Sequence, residues 1–246
     1  MSGETTEIRT KDGVCPTLVF TPSGSGPWPA VIFYMDGLAI RPTLSAMAQC
    51  IADEGYVVLL PDLYYRAGPY QPFVPEEIFA AGNFREVLGP YMGSTNAHKA
   101  GVDDTAGFIA YLETRSDVKG KKIGVTGYCM GGAIALTAAG AYPHRVAAAA
   151  SFHGGRLATD DETSPHLLAP KIKAEVYIAA AVEDGSYPPE MEARLKTAFD
   201  EAGVNYRHET YEGCKHGWTK PDFPIYDREN AERAHRELIV LFKRNL

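Results

Sequence analysis

Short apolar runs alternate with helix-forming segments from residue 30 to the end of the chain. The runs AVIFY (30–34) and YVVLL (56–60) are continuously apolar, as expected of strands that are covered on both faces. The first helix is predicted between them, from about residue 43 to residue 54. Because strands that alternate with helices form a parallel sheet covered on both sides, the chain is predicted to adopt an α/β fold. Its central sheet should be mostly parallel, with helices on both faces.

The remaining predicted elements extend this alternation. Further strands are predicted at KIGVTG, RVAAAASF, AEVYIAAA and YRHETY, and further helices at 95–115, 130–141, PEMEARLKTAFDEAG and 228–245. Near the start of the chain, TEIRT and CPTLVFTPS predict two strands joined at the turn KDG. No repeat or change in composition divides residues 1–246, so we expect one domain. Residues 62–93 are rich in Pro, Gly and Tyr, which predicts an irregular, lid-like binding segment with one short helix.

Charge and apolar patterning exclude several classes of function. The net charge is −7 and no basic block occurs, which argues against partners such as nucleic acid or an anionic membrane. Residues 123–142 carry no charge but include five glycines and two tyrosines, which is typical of a buried strand and helix rather than a membrane span. The polar start MSGETTEIRTKDG has no apolar core of a signal peptide. A cytoplasmic protein is therefore expected.

The four cysteines form no C-x-x-C pair and no Cys/His cluster with zinc spacing. No metal or organic cofactor is therefore expected. Cys129 differs from the other three because it lies in GYCMGG, between a predicted strand and a predicted helix. Read alone, it is either a small buried residue or a nucleophile.

The spacing G-x-C-x-G around Cys129 favours the nucleophile. In the serine version of this motif, a strained strand-to-helix turn exposes the nucleophile above the sheet. Gly127 and Gly131 would leave room for the turn and for packing of the helix on the strand. The thiol would then lie at a helix N-terminus, where the partial positive charge favours thiolate.

Two further residues complete a catalytic arrangement in the order typical of α/β-hydrolases, which is nucleophile, acid and histidine. Asp184 follows the predicted strand AEVYIAAAVE, and His216 follows YRHETYEGCK. Both therefore belong at the carboxyl edge of the sheet, where ligands bind in open α/β sheets. Glu183 competes for the acid position, but Asp184 is favoured by its place after the strand. Asp184 would orient His216, and His216 would take or stabilise the proton of Cys129.

The chain resembles the dienelactone hydrolase family, a branch of the α/β-hydrolase fold with a cysteine nucleophile. The matching stretches are VIFYMD, GYVVLLPDLYYR, GVTGYCMGGAIAL, AAAVEDGSYPP and EGCKHGW. The resemblance implies a Cys129–His216–Asp184 triad. It also implies an auxiliary acid at Asp36, where the family usually has glutamate, that accepts the thiol proton when substrate binds. The implied oxyanion hole consists of the backbone N–H groups of Met130 and Gly37.

The resemblance also indicates where a substrate carboxylate would bind. The family uses arginines there, and the corresponding positions are Lys220, four residues after His216, and Arg85 as the nearest candidate in the long segment. Lys220 has the alternative of being an ordinary solvated surface lysine. Trp218 is a candidate for the pocket wall. The aromatic residues Tyr64, Tyr65, Tyr70 and Phe73 form either an apolar wall for substrate, with Tyr65 as a contact, or ordinary packing of the long segment on the core.

These features together predict hydrolysis of a small-molecule ester or lactone through a thioacyl-enzyme, by a monomer or homodimer. One alternative is a general carboxylesterase or thioesterase that acts on neutral acyl esters. A second is a non-catalytic binding protein with the hydrolase fold. A third is a redox protein that uses the thiol of Cys129, although the chain has no nearby resolving cysteine.

Overall fold

The computed structural model describes residues 3–246 and contains one mixed sheet of eight strands. The strands are β1 Glu4–Arg9, β2 Val14–Phe20, β3 Trp28–Tyr34, β4 Val57–Pro61, β5 Val118–Tyr128, β6 Val146–Phe152, β7 Glu175–Glu183 and β8 Tyr206–Lys215. Their order across the sheet is β1-β2-β4-β3-β5-β6-β7-β8. β1 and β2 are antiparallel to their neighbours, and all pairs from β4 to β8 are parallel. The predicted fold class is confirmed. Residues 1 and 2 of the predicted domain lie outside the described residues.

Seven α-helices connect and cover these strands within residues 3–246. They are α1 Pro42–Asp53, α2 Pro75–Ala81, α3 Phe84–Ser94, α4 Thr105–Thr114, α5 Met130–Ala141, α6 Pro189–Ala202 and α7 Arg228–Asn245. Pro occupies the first turn of α1, α2 and α6, where its fixed φ suits a helix start. No helix in the described range is long and apolar enough to cross a membrane.

The segment 62–93 is more regular than the sequence predicted. It contains a short 3₁₀ turn at Tyr65–Ala67 and the two helices α2 and most of α3, instead of one short helix. Gly82 adopts the left-handed conformation, with φ of 65°, and therefore ends α2 as a glycine cap does. The two helices bury Ile78 and Leu88 in a small apolar cluster with Leu38. This packing supplies the order that the local sequence did not reveal.

The predicted helix at 95–115 is interrupted. A π-helical turn occupies Lys99–Asp104, and regular α4 begins only at Thr105. The hydroxyl of Thr105 donates to the carbonyl of Ala100, 2.8 Å away, and the hydroxyl of Tyr142 donates to the carbonyl of Val102. These side chains satisfy carbonyls that the wider turn leaves available, as expected where polar groups enter a helical ladder.

The centre of the sheet is the core of the protein. Residues Ala30–Tyr34 of β3 and Val57–Leu60 of β4 are fully buried, which agrees with their continuous apolar sequences. Strand β5 lies between β3 and β6. Its last residue, Tyr128, directly precedes Cys129, so the candidate nucleophile emerges at the middle of the carboxyl edge.

Candidate active site

Cys129 occupies a strained turn between β5 and α5. Its φ of 56° and ψ of −118° are sparsely populated for any residue other than glycine, and such strain in a structure often marks functional positions. The N–H of Cys129 donates to the carbonyl of Phe152 over 3.1 Å, and its carbonyl accepts from the N–H of Gly132 over 3.0 Å. The thiol is therefore held above the sheet at the N-terminus of α5.

The glycines around Cys129 leave no space for a side chain. A Cβ atom on Gly127 would collide with the carbonyl of Gly131, and one on Gly131 would collide with the carbonyls of Tyr34 and Met35 in β3 and just after it. Close packing of α5 on the sheet therefore depends on both positions. This confirms the steric interpretation of the G-x-C-x-G spacing.

The structure brings His216 and Asp184 together beside Cys129. Nδ1 of His216 lies 2.7 Å from Oδ2 of Asp184, so Nε2 is the ring nitrogen left to face the thiol. The competing acid, Glu183, is exposed and pairs with Lys215 instead. The N–H of His216 also donates to the carbonyl of Glu183 over 3.2 Å, which ties the histidine turn to the end of β7.

Ser186 is a member of this group that the sequence analysis missed. Its hydroxyl donates to Oδ1 of Asp184 over 2.6 Å and lies 3.1 Å from Nδ1 of His216. Its N–H donates to the same Asp184 oxygen over 2.8 Å. Asp-x-Ser is a sequence signal for such a turn, in which an aspartate accepts from the backbone two residues on. Ser186 thus holds both partners of the acid–base pair.

The electrostatic environment favours a charged histidine and a charged acid. Burial alone would lower the pKa of His216, but the charges and hydrogen bonds of Cys129 and Asp184 outweigh it and raise that pKa to about 10. Burial would raise the pKa of Asp184, but hydrogen bonds from His216 and Ser186 leave it below its usual value.

Asp36 and Gly37 follow β3 on the other side of Cys129. Both Asp36 oxygens accept hydrogen bonds from Arg41, at 2.7 Å and 3.0 Å. Tyr64, which is fully buried, donates from its hydroxyl to the carbonyl of Gly37 over 2.8 Å. The N–H of Met130 is the first of α5, where N–H groups have no partner within the helix. The two implied oxyanion donors, the N–H groups of Met130 and Gly37, therefore both lie at this edge of the sheet.

A cavity of about 290 Å³ opens next to the nucleophile. Met130, which follows Cys129, lines one side, and Gly155, which packs against Ser186, lines another. Met92 lines a third side and approaches Gly37, since a Cβ built there would lie 3.5 Å from its Sδ. Cys129, His216, Asp184 and Gly37 are not lining residues, so the cavity adjoins them only through Met130, Gly155 and Met92. Its other lining residues are Thr95, Asn96, Ala97, Ala133, Ile134, Arg156, Thr159, Asp161, Thr163, Ser164 and Pro165.

Lys220 is neither a solvated surface lysine nor part of this cavity lining. Its side chain is fully buried, and Nζ lies 3.4 Å from the centroid of the Tyr128 ring and 3.9 Å from Oδ2 of Asp36. Burial lowers the pKa of Lys220 to about 7, although the charge of Asp36 opposes the change. The alternative of a solvated surface lysine is therefore wrong, and a role of Lys220 in substrate binding stays a prediction.

Three other expected substrate contacts lie elsewhere. Arg85 is exposed on α3 and outside the cavity lining. Tyr65 donates from its hydroxyl to Asp104 over 2.8 Å and also contacts Thr10, so that it belongs to a polar network near β1. Trp218 is fully buried against His153, with 5.1 Å between the ring centroids. None of these three side chains lines the cavity, and their contact with substrate stays a prediction.

The aromatic residues of the long segment divide between the two interpretations. Tyr70, Phe73 and Tyr91 pack on one another with ring centroids 5.1–5.4 Å apart, which is ordinary packing. Tyr64 joins this cluster and also contacts Sδ of Met130, 3.7 Å from its hydroxyl. Of this cluster, Tyr64 is therefore the residue that reaches the oxyanion turn.

The buried ring of His153 packs against the ring of His216. The two rings are 5.1 Å apart, and Nε2 of His153 lies 2.8 Å from the hydroxyl of Thr219. Burial, together with the charges of His216 and Lys220, lowers the pKa of His153 well below its usual value.

Within residues 3–246, no group of three or more His, Cys, Asp or Glu side chains is arranged to hold a metal ion.

The family can now be assigned. Residues 15–246 match the model of the dienelactone hydrolase family. The chain belongs to the dienelactone hydrolase family. A Synechocystis sp. protein is 27% identical over 92% of this chain and 89% of its own length. A mouse protein named carboxymethylenebutenolidase homolog is 29% identical over 80% of this chain and 74% of its own length.

Solved structures agree with this assignment at the level of the fold. A dienelactone hydrolase-like promiscuous phosphotriesterase from metagenomic libraries superposes with a TM-score of 0.75. The match covers 100% of this chain and 99% of that one at 20% identity. The dienelactone hydrolase fold is therefore shared over the whole described chain, and the family is one of hydrolases.

Proposed function

We propose that the protein hydrolyses a carboxylic ester or lactone, with Cys129 as the nucleophile. The observation that carries this proposal is the placement of one thiol, one imidazole and one carboxylate at the same sheet edge. His216 is oriented by a 2.7 Å hydrogen bond to Asp184, and Cys129 adopts the strained φ of 56° at the start of α5. This geometry supports Cys129 as the nucleophile, His216 as the base and Asp184 as the acid that orients it.

Acylation would proceed with His216 as the proton carrier. The sulfur of Cys129 attacks the carbonyl carbon, and the thiol proton resides on Nε2 of His216. The carbonyl oxygen becomes an oxyanion that the N–H groups of Met130 and Gly37 stabilise. One such donor is typically worth about 2.7–4 kcal/mol. The tetrahedral intermediate then expels the alkoxide, which takes the proton from His216 and leaves a thioester on Cys129.

Deacylation would use the same residues in reverse. His216, now neutral, removes a proton from a water molecule that attacks the thioester carbon. The second tetrahedral intermediate collapses, the carbon–sulfur bond breaks, and the acid product leaves. Asp184 and Ser186 keep Nδ1 of His216 in place throughout, so that Nε2 accepts and donates in turn.

The cavity constrains the substrate. A volume of about 290 Å³ suits a small acyl group or a lactone ring rather than a long chain. Met92, Met130 and Ile134 provide apolar surface, and Arg156 provides a cation. Arg156 is exposed and, within the described part of the chain, has no carboxylate partner at ion-pair distance. It is therefore the cation best placed for a substrate carboxylate.

A general carboxylesterase or thioesterase for neutral acyl esters is the second candidate. The observation that favours it is the placement of the two cations first expected to bind a carboxylate. Lys220 is fully buried and Arg85 is exposed on α3. With those two cations elsewhere, the anionic substrate depends on Arg156 alone.

The test is hydrolysis of p-nitrophenyl acetate and of a dienelactone by wild type, Cys129→Ala and Cys50→Ala. Cys50 is an exposed thiol on α1 and serves as the matched control. We expect turnover by wild type and by Cys50→Ala, and loss of at least about 10³-fold in Cys129→Ala. Trapping of a covalent acyl group on Cys129 by mass spectrometry would support the thioester step.

The outcomes separate the candidates. Preference for the dienelactone supports the anionic lactone substrate, and preference for p-nitrophenyl acetate supports the neutral esterase. Equal activity in wild type and Cys129→Ala would contradict the proposed nucleophile. Binding of both compounds without turnover or acylation would instead favour a non-catalytic binding protein.

A further inference from the structure

Asp36 lies in a short turn between β3 and α1 that also carries Gly37. Its Oδ1 atom accepts from the N–H of Leu38 over 2.9 Å and from Nη1 of Arg41 over 2.7 Å. Its Oδ2 atom accepts from Nη2 of Arg41 over 3.0 Å. Both side chains are only 2% exposed. Asp36 therefore has a full set of charged and backbone partners before any substrate binds.

Arg41 is held by more than Asp36. Its Nε atom donates to Asp222 over 2.5 Å, and Nη1 also donates to the carbonyl of Ala39 over 3.1 Å. Asp222 belongs to the turn that follows His216 and Lys220. Arg41 thus links the turn after β3 to the turn after β8 through its hydrogen bonds to Asp36 and Asp222. The two turns lie on opposite sides of Cys129.

The turn itself is strained and needs such support. Ala39 has a positive φ of 61°, which is unfavourable for a residue with a Cβ and persists where surrounding contacts impose it. The N–H of Ala39 donates to the carbonyl of Asp36 over 3.2 Å, and Tyr64 holds the carbonyl of Gly37. The orientation of the Gly37 N–H therefore depends on this set of contacts.

We propose that Asp36 and Arg41 are positioning residues that hold the Gly37 N–H in the oxyanion hole, and that Asp36 does not accept the thiol proton. The inference rests on the proposed function, since it assigns Gly37 as an oxyanion donor. It differs from the role that the resemblance implies for Asp36. To take the proton of Cys129, Asp36 would have to leave a buried bidentate pair with Arg41, whose geometry is the strongest available to a carboxylate.

The charged groups around the thiol leave His216 to carry the proton. The groups that act electrostatically with Cys129 are His216, Lys220 and Tyr64. Those that act on Asp36 are Arg41, Lys220 at 3.9 Å and Tyr64. His216 is hydrogen-bonded to Asp184 and interacts electrostatically with Cys129, so it can take the thiol proton without a second acceptor.

Two reactions of the same thiol distinguish the two roles. Ester hydrolysis forms an oxyanion and needs the Gly37 N–H, whereas alkylation of Cys129 by iodoacetamide forms none. Loss of a positioning residue should therefore slow hydrolysis alone. Loss of a proton acceptor should instead move the pH dependence of hydrolysis to higher pH, because another group must then deprotonate the thiol. It should also slow alkylation if that acceptor acts on the free enzyme.

The experiment compares wild type, Asp36→Asn, Asp36→Glu, Arg41→Gln and the Asp36→Asn/Arg41→Gln double variant. Asp117→Asn is the matched control, because it breaks another Asp–Arg pair, with Arg115, at the opposite end of the sheet. We expect each single variant at the turn to lower kcat about 10- to 100-fold with KM within about threefold. The double variant should be no slower than the slower single variant, because both changes release the same turn.

The alkylation rate of Cys129 is a second, independent measure of the role of Asp36. We expect the alkylation rate of Asp36→Asn to stay within about threefold of the wild-type rate. The pH dependence of alkylation should be the same in both proteins. Asp36→Glu should be as slow in hydrolysis as Asp36→Asn, since the longer side chain cannot form the same bonds to Leu38 and Arg41. Activity at wild-type level in Asp36→Glu, combined with slowed alkylation in Asp36→Asn, would overturn the inference.

Two further arms cover failure of folding and of the proposed function. If the Asp36 or Arg41 variants do not fold, Tyr64→Phe releases the Gly37 carbonyl and leaves the Asp36–Arg41 pair in place. Unchanged kcat in this variant would also count against the inference. If wild type hydrolyses no ester, the proposed function fails. Alkylation then still tests Asp36 separately, because a slowed reaction in Asp36→Asn would mark it as the proton acceptor.

Discussion

Replacing Lys220 with methionine should make the protein more stable at pH 6. The lysine is fully buried, with Nζ against the Tyr128 ring, 3.4 Å from Sδ of Met47 and 3.9 Å from Asp36. Asp36 keeps its bidentate pair with Arg41 after the change, so no buried carboxylate is left alone. Methionine has a similar length and no charge, and it tolerates irregular apolar surroundings.

The expected magnitude follows from the pKa of Lys220. Its value falls from 10.5 to about 7 on burial, and one pKa unit corresponds to about 1.4 kcal/mol, which gives roughly 5 kcal/mol. Local relaxation and water penetration reduce such penalties in real proteins, so we expect a gain of about 2–4 kcal/mol. The folded state binds fewer protons than the unfolded chain between pH 7 and 10.5. The penalty is therefore complete below about pH 7 and fades as pH rises toward 10.5.

The assay is urea unfolding of wild type and Lys220→Met at pH 6 and pH 10. The difference in the free energy of unfolding should be about 2–4 kcal/mol at pH 6 and below about 1 kcal/mol at pH 10. Lys243→Met is the control, because this lysine is 60% exposed in a surface pair with Glu54, and it should change stability by no more than about 1 kcal/mol. A less stable Lys220→Met at pH 6 would refute the reasoning, since it would mean that the buried ammonium stabilises the fold.

Three other changes test the site. Ser186→Ala should lower kcat about tenfold with little change in KM, because His216 loses one of its two supports; steady-state kinetics that show only a KM effect would contradict this. Arg156→Gln should raise KM about tenfold for a carboxylate-bearing ester and leave a neutral ester unaffected, and equal changes for both esters would remove Arg156 from substrate binding. Gly131→Ala should destabilise the protein by about 2–4 kcal/mol in thermal unfolding, because its Cβ would meet the backbone of β3. An unchanged melting temperature would contradict the packing described for α5.

Local patterns in the sequence were sufficient to predict most of the fold and the reactive residues. The buried strands β3 and β4 were visible as apolar runs, since residues covered on both faces must be apolar whatever lies next to them. The turn at Cys129 was visible because the two glycines are needed by the backbone of that turn itself. Strand order along the chain then placed Asp184 and His216 after neighbouring strands.

Local patterns were insufficient where the structure depends on packing between distant segments. The helices α2 and α3 appeared irregular in sequence because Pro75 starts α2, Gly82 ends it and Pro90 lies within α3. Both helices pack on Leu38, which is distant in sequence. The burial of Lys220 could not be predicted because it results from the packing of Met47 and Tyr128 around the side chain. Nothing near it in sequence signals that burial.

The chain by itself determined an α/β sheet with a cysteine in a strained turn, because periodicity and turn geometry are properties of neighbouring residues. Tertiary structure decided which charges meet. Arg41 pairs with Asp222 across 181 positions of sequence, and the cavity joins segments before α4 and after β6. Such pairings depend on where folding brings whole elements, so a single sequence contains no local signal for them. The contacts that support Gly37 and the position of Arg156 at the cavity therefore emerged only from the folded protein.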